Sequence, residues 1–207
     1  VNKNDFDARV CVTAQHREML DQVLEFFEIN PEYDLNIMKP NQNLFSLTTI
    51  IIESLKPILE EFRPDYVFLH GDTTTTMASA IASFYSGARV CHVEAGLRTF
   101  DKQSPFPEEM NRQITSRICD YHFAPTMTSK ENLLAENIRL DNILVTGNTV
   151  IDALFESVNR VKDLKNETIN SLNSIIGDNQ EVILVTGHRR ENHGEGFERI
   201  CKALKEI

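Results

Sequence analysis

The 207-residue sequence predicts an α/β protein built on a parallel sheet buried between helices on both faces. Short apolar, β-branched runs alternate with longer helical patterns. The runs are almost continuously apolar, as in strands buried on both faces. Polar clusters follow the strands directly, where open α/β sheets collect ligands.

Taken in order, the elements begin with the run "ARVCVTA", read as a strand, followed by the helical patterns "REMLDQVLEFFEI" and "LTTIIIESLKPILEEF". Strand "DYVFLH" leads to helix "TMASAIASFYSG", strand "ARVCHVEAG" to helix "PEEMNRQITSRIC", and strand "YHFAP" to helix "SKENLLAENI". Strand "NILVTG" and helix "TVIDALFESVNRV" close the series. A polar stretch then precedes a fresh strand, "EVILVTG", a basic loop and the opening of another helix. The expected division is therefore a first domain over 1–162, a linker over 163–179 and the start of a second α/β domain over 180–207. Valine stands first and the chain stops inside "FERICKALKEI", so both ends read as cut from something longer.

With 31 acidic and 21 basic residues the formal charge is -10, which argues against a surface built for nucleic acid or anionic membrane. A phosphate-bearing ligand has to be met by a locally concentrated site. Cys11, Cys91, Cys119 and Cys201 form neither a CxxC pair nor a disulfide or zinc spacing, so buried thiols in a reducing compartment are expected. No signal peptide or membrane-length apolar run is present, and a cytoplasmic protein is expected. No HExxH, Walker or nucleophile-elbow pattern occurs, and no metal site is expected.

Four strand-end clusters carry the chemistry. In "HGDTTTT", Gly71 permits a sharp exit from the strand, and either Asp72 or a threonine suits the cap of the helix expected to start near Thr75. Four threonines exceed the needs of a cap, and their hydroxyls can serve the turn while leaving Asp72 free. In "CHVEAGLRTF", Glu94 leaves its strand with His92 nearby, suited to acid-base work or to a salt bridge with Arg98. In "SPFPEEMNRQ", Pro107, Glu108 and Glu109 suit a helix N-terminus, and Arg112 lies one turn after Glu108. "VTGHRREN" concentrates His188, Arg189 and Arg190 in an acidic chain, which suits a diphosphate. Gln15 and His16 form a further strand-end cluster, whereas "TGNTVIDAL" reads mainly as a turn opening a helix at Asn148 or Thr149.

Together, "CVTAQHREMLDQVL", "HGDTTTTMAS", "HVEAGLRT", "SPFPEEMNR", "VTGNTVIDAL" and "ILVTGHRREN" closely resemble the non-hydrolysing UDP-N-acetylglucosamine 2-epimerases, in order and over essentially the whole chain. The resemblance implies two Rossmann-like domains of the glycosyltransferase-B type with the site in their cleft, the second domain mostly missing here. It implies interconversion of UDP-GlcNAc and UDP-ManNAc for bacterial surface polysaccharides, without a cofactor and as a homodimer. It assigns acid-base roles to Asp72, Glu94 and Glu108, the diphosphate to His188, and a supporting substrate contact to Arg112. Gln15 and His16 match a region that contacts a second, activating UDP-GlcNAc in some bacterial members. A leading "GTRPE" type strand and a "DSGG" type UDP-binding segment are absent, so the 207 residues alone are expected to be inactive. Three rivals stay open: a hydrolysing relative releasing ManNAc, a non-catalytic nucleotide-sugar sensor, and a glycosyltransferase on the same fold.

Overall fold

The computed structural model describes residues 5–14, 17–37, 42–164, 166–176, 182–185 and 194–206. They fall into two compact units, Val1–Leu154 and Phe155–Ile207.

In the first unit the principal sheet is parallel, with β3 (Tyr66–His70), β4 (Arg89–Val93), β5 (Tyr121–Ala124) and β6 (Ile143–Val145) in that spatial order. The crossovers are α3 (Thr74–Ser86), α4 (Glu108–Ile118) and α5 (Met127–Ala135), so every strand ends on the same edge. The register pairs His70 with Val93 and Val93 with Phe123, which aligns the exits of β3, β4 and β5. A separate parallel pair joins β1 (Cys11–Val12) to β2 (Tyr33–Asp34), with α1 (Arg17–Phe26) between them. The two-residue β2 has no apolar alternation to announce it and exists through pairing with Cys11 and Val12.

Helix α2 (Leu44–Phe62) is set by local and tertiary forces together. Asn43 opens it with a capping box, its side chain accepting from Ser46 N at 2.9 Å while Ser46 Oγ accepts from Asn43 N at 3.3 Å. Leu47, Ile51, Leu55 and Leu59, spaced at single turns, form its buried stripe. They pack with Ile37 and with Ala78 and Ala82 of α3, small residues that let the two helices approach closely. Burying each large aliphatic chain contributes about 1.5–3 kcal/mol.

Among the described residues β3 lies at the sheet edge, so Tyr66 and Phe68 stay 46% and 63% exposed although the run reads as buried strand. Burial of a strand depends on what flanks it, which the run itself does not specify.

In the second unit, α7 (Glu167–Ile176) forms within the polar stretch expected as a linker, and α8 (Glu195–Glu206) follows the basic loop. The division into units falls inside α6 (Thr149–Asp163). Val182–Val185, expected as strand, carries no ladder, because no described residue supplies a neighbouring strand.

Candidate functional site

At the exit of β3, Gly71 takes φ +77 and its amide donates to Val93 O at 3.0 Å, extending the ladder one step while turning the chain. Thr73, not Asp72, caps α3: its Oγ1 accepts from Thr76 N at 3.2 Å. Thr76 Oγ1 in turn donates to His70 O at 2.7 Å. The threonines thus satisfy the turn, and Asp72 is released from it.

Asp72 meets Arg112 instead. Arg112 Nε and Nη2 both donate to Asp72 Oδ2, at 3.0 and 2.7 Å, so Oδ1 stays outside the fork. Asn111 Nδ2 donates to Asp72 O at 2.9 Å and fixes the backbone beneath the same carboxylate. Arg112 Nη1 reaches Glu109 Oε2 at 3.2 Å, so one guanidinium is shared by two carboxylates.

Glu94 leaves β4 in the left-handed region, at φ +69, a conformation that costs a non-glycine residue about 1 kcal/mol or more. That turn lays its carboxylate across Gly71, where a Cβ would stand 3.6 Å from Glu94 Oε2. Asn148 Nδ2 donates to the other oxygen, Glu94 Oε1, at 3.3 Å, while Asn148 Oδ1 accepts from Val150 N at 3.0 Å and holds the amide in that orientation. The Glu94 carboxylate from β4 therefore lies against the Gly71 turn from which Asp72 leaves β3.

Glu108 opens α4, and its Oε2 is buried with no hydrogen-bond partner among the described residues. The spacing invites a pair between Glu108 and Arg112, yet Arg112 turns to Asp72 and Glu109. The alternative pair of Glu94 with Arg98 is likewise not formed. Arg98, fully buried, binds Glu136 through Nε and Nη2 at 2.6 and 2.8 Å, and Ser116 Oγ at 2.8 Å. It joins the loop after β4 to α4 and to Glu136, the cap that follows α5.

His92 is fully buried, and its Nε2 donates to Gly71 O at 2.7 Å; a carbonyl only accepts, so the proton resides on Nε2. Burial pushes its pKa down to about 4, against the Gly71 hydrogen bond that favours the charged form. It is a neutral brace under the Gly71 turn, not an acid-base group.

Glu109, Asn111 and Asn148 also organise these groups, beyond the residues that the sequence singles out. A signal was present: α4 buries Glu109, Asn111, Thr115 and Ser116, polar residues that have to face partners and not oil. Gln15, His16, His188, Arg189 and Arg190 lie outside the described residues. Among the described residues, no group of three or more His, Cys, Asp or Glu is placed to hold a metal ion, and no helix is long and apolar enough to cross a membrane.

A family model described as UDP-N-acetylglucosamine 2-epimerase matches residues 1–207. A UDP-N-acetylglucosamine 2-epimerase of Yersinia pestis is 57% identical over 204 residues, covering 98% of this chain and 54% of the relative. The crystal structure of UDP-GlcNAc 2-epimerase from Neisseria meningitidis bound to UDP-GlcNAc superposes with a TM-score of 0.88 at 54% identity, over 98% of this chain and 56% of that one. A putative UDP-N-acetylglucosamine 2-epimerase from Listeria monocytogenes gives 0.83 at 47% identity, over 97% and 51%. The chain thus spans about half the length of the relatives it matches, as expected of a partial two-domain architecture. By this match over its whole length, the chain belongs to the UDP-N-acetylglucosamine 2-epimerase family.

Proposed function

We propose that the intact protein is an isomerase that interconverts UDP-GlcNAc and UDP-ManNAc by eliminating and re-adding UDP. The observation that carries this is the fork of Arg112 on Asp72 Oδ2 at the exit of β3, where the Gly71 turn lies against the Glu94 carboxylate from the exit of β4. The bound UDP-GlcNAc of the Neisseria structure supports the choice of ligand.

The sugar loses the proton from carbon 2 and UDP from carbon 1 to give a glycal; the proton returns to the opposite face and UDP adds back. No electrons are exchanged with a redox partner. The carbon 2 proton has no carbonyl beside it, so its removal needs a placed carboxylate, and inversion needs proton donors and acceptors on both faces. Asp72, Glu94 and Glu108 share that work. Asp72 is oriented by Arg112 and Asn111, and Glu94 by Asn148. General acid-base catalysis of this kind contributes about 10²- to 10⁴-fold. Arg112 is a supporting substrate contact, and His188 is assigned to the departing diphosphate, where a good contact contributes on the order of 3 kcal/mol. Gln15 and His16 are assigned to a second, activating UDP-GlcNAc. The protein acts in the cytoplasm as a homodimer, with a first domain over 1–162, a linker over 163–179 and the start of a second domain over 180–207. Turnover is assigned to the intact protein and not to the 207 residues alone.

The test is incubation of the intact protein with UDP-GlcNAc in deuterated water. UDP-ManNAc carrying deuterium at carbon 2 is the expected product. Product without deuterium, no product, or accumulation of free ManNAc would overturn the proposal.

A further inference from the structure

Glu109 stands in the first turn of α4, where an acid is favoured simply by the positive end of the helix. That effect asks only for an exposed carboxylate. Here the side chain is fully buried, which for a charged group is costly unless every lone pair is engaged. Four donors engage it. Thr99 N and Arg112 Nη1 reach Oε2 at 3.0 and 3.2 Å, and Phe100 N and Gln113 Nε2 reach Oε1 at 3.2 and 2.9 Å. Burial raises the carboxyl pKa, but the bonds from Gln113, Thr99, Phe100 and Arg112 together outweigh it and hold the group ionised, below its ordinary value.

The four donors come from two places. Thr99 and Phe100 belong to the loop after β4, and Arg112 and Gln113 to α4 itself. Arg112 has one guanidinium edge committed to Asp72 and the remaining nitrogen, Nη1, committed to Glu109. A long side chain held at one edge alone can swing about that edge; held at both, it has one orientation.

We propose that Glu109 is a positioning residue: without touching the sugar nucleotide, it locks the Arg112 guanidinium so that the fork closes on Asp72 Oδ2 and leaves Oδ1 to the reacting sugar. The catalytic part of this proposal rests on the epimerase reading above, and the mechanical part does not. Glutamine is the same size, but its amide offers one acceptor where the carboxylate offers two and turns an NH2 toward two donors. Aspartate keeps the charge and withdraws it by one methylene.

The test uses Glu109→Gln and Glu109→Asp in the intact protein, with two readouts. The first is the NMR signal of the Arg112 Nε proton, whose exchange with solvent is expected to quicken about 10-fold or more in either variant that remains folded. This holds whether or not the protein is an epimerase, so failure of the reaction assay in the wild type sinks the functional reading alone. The second is turnover of UDP-GlcNAc, with kcat expected to fall about 10- to 100-fold while KM stays within about 3-fold, as for a reacting group displaced by a fraction of an ångström to an ångström. The isotope effect with substrate deuterated at carbon 2 is expected to rise in parallel. Unchanged Arg112 exchange in a folded variant overturns the proposal. So does a kcat that falls only in proportion to the unfolded fraction, the signature of a merely structural residue. If Glu109→Gln does not fold, Glu109→Asp alone decides by the same criteria.

Discussion

Arg112 places two hydrogen bonds on one oxygen of Asp72, at 3.0 and 2.7 Å, across 40 positions of sequence. Two donors on one oxygen fix that oxygen and leave Oδ1 outside the fork. Lysine offers charge without a fork. Arg112→Lys is therefore expected to lower kcat about 10-fold or more with little change in melting temperature, and Asp72→Asn to lower it about 10²- to 10⁴-fold with substrate affinity changed far less. Steady-state kinetics beside calorimetric titration with UDP-GlcNAc separates the two quantities. A variant that loses affinity and turnover equally would assign the pair to binding alone.

Asn148 steers Glu94 from 54 positions away, through a 3.3 Å bond to Oε1. Asn148→Ala removes the donor and is expected to cost about 10-fold in turnover, in line with a misplaced acid-base group. Asn148→Asp sets a second negative charge against Glu94 and is expected to cost more, with a steeper dependence on pH. Equal rates in both variants would place Glu94 outside the control of Asn148.

Two glycines with similar φ separate strain from close packing. Gly96 has φ +89, and a Cβ there would meet Ser129 O at 2.2 Å and Ser129 C at 2.8 Å, both backbone atoms of α5 that cannot give way cheaply. Gly87 has φ +84, and among the described residues a Cβ there would meet nothing within 4 Å. Gly87→Ala is expected to cost about 1–2 kcal/mol from the left-handed conformation alone, and Gly96→Ala about 3 kcal/mol or more. Urea unfolding followed by circular dichroism measures both, and equal losses would contradict the close approach of the loop to α5.

Acid should weaken the fold through His92 and His122, register partners on β4 and β5. Burial holds both near a pKa of about 4 from an ordinary 6.5, so the unfolded chain binds more protons than the folded chain between those values. Their stabilisation is complete above about pH 6.5 and falls as the pH drops toward 4, by at most about 3 kcal/mol per histidine. Glu109 adds to the loss lower down: its folded pKa lies below 4.5, so its contribution fades as the pH falls through and below that value. His122, buried on β5, is the sharper probe, because its ring does not brace the Gly71 turn as that of His92 does. His122→Phe should flatten the slope of unfolding free energy between pH 7.5 and 4.5, and an unchanged slope would remove His122 from the account.

The strand-helix alternation of the first unit, most element limits to within a few residues, and the placement of Asp72 and Glu94 at strand exits were all readable from periodicity and turn residues. These are local properties, set by side-chain spacing and by which residues tolerate a turn. Membership of the epimerase family was legible too, because six motifs occur in one order. The two-residue β2 was not, since it exists only through its partner, and the apolar run Val182–Val185 reads as a strand but has none to pair with among the described residues.

Choice of partner belongs to the tertiary structure alone. Spacing offered Arg112 to Glu108 and Arg98 to Glu94, and the fold gave Arg112 to Asp72 and Glu109, and Arg98 to Glu136 and Ser116. The strand register and the face that α4 turns inward decide which charged groups share a buried volume, and so which of them pair. The sequence by itself determined which residues stand at the strand ends; only the packing of α4 and the β4 loop against the sheet decided that Asp72 is held by Arg112 and that Arg112 is held by Glu109.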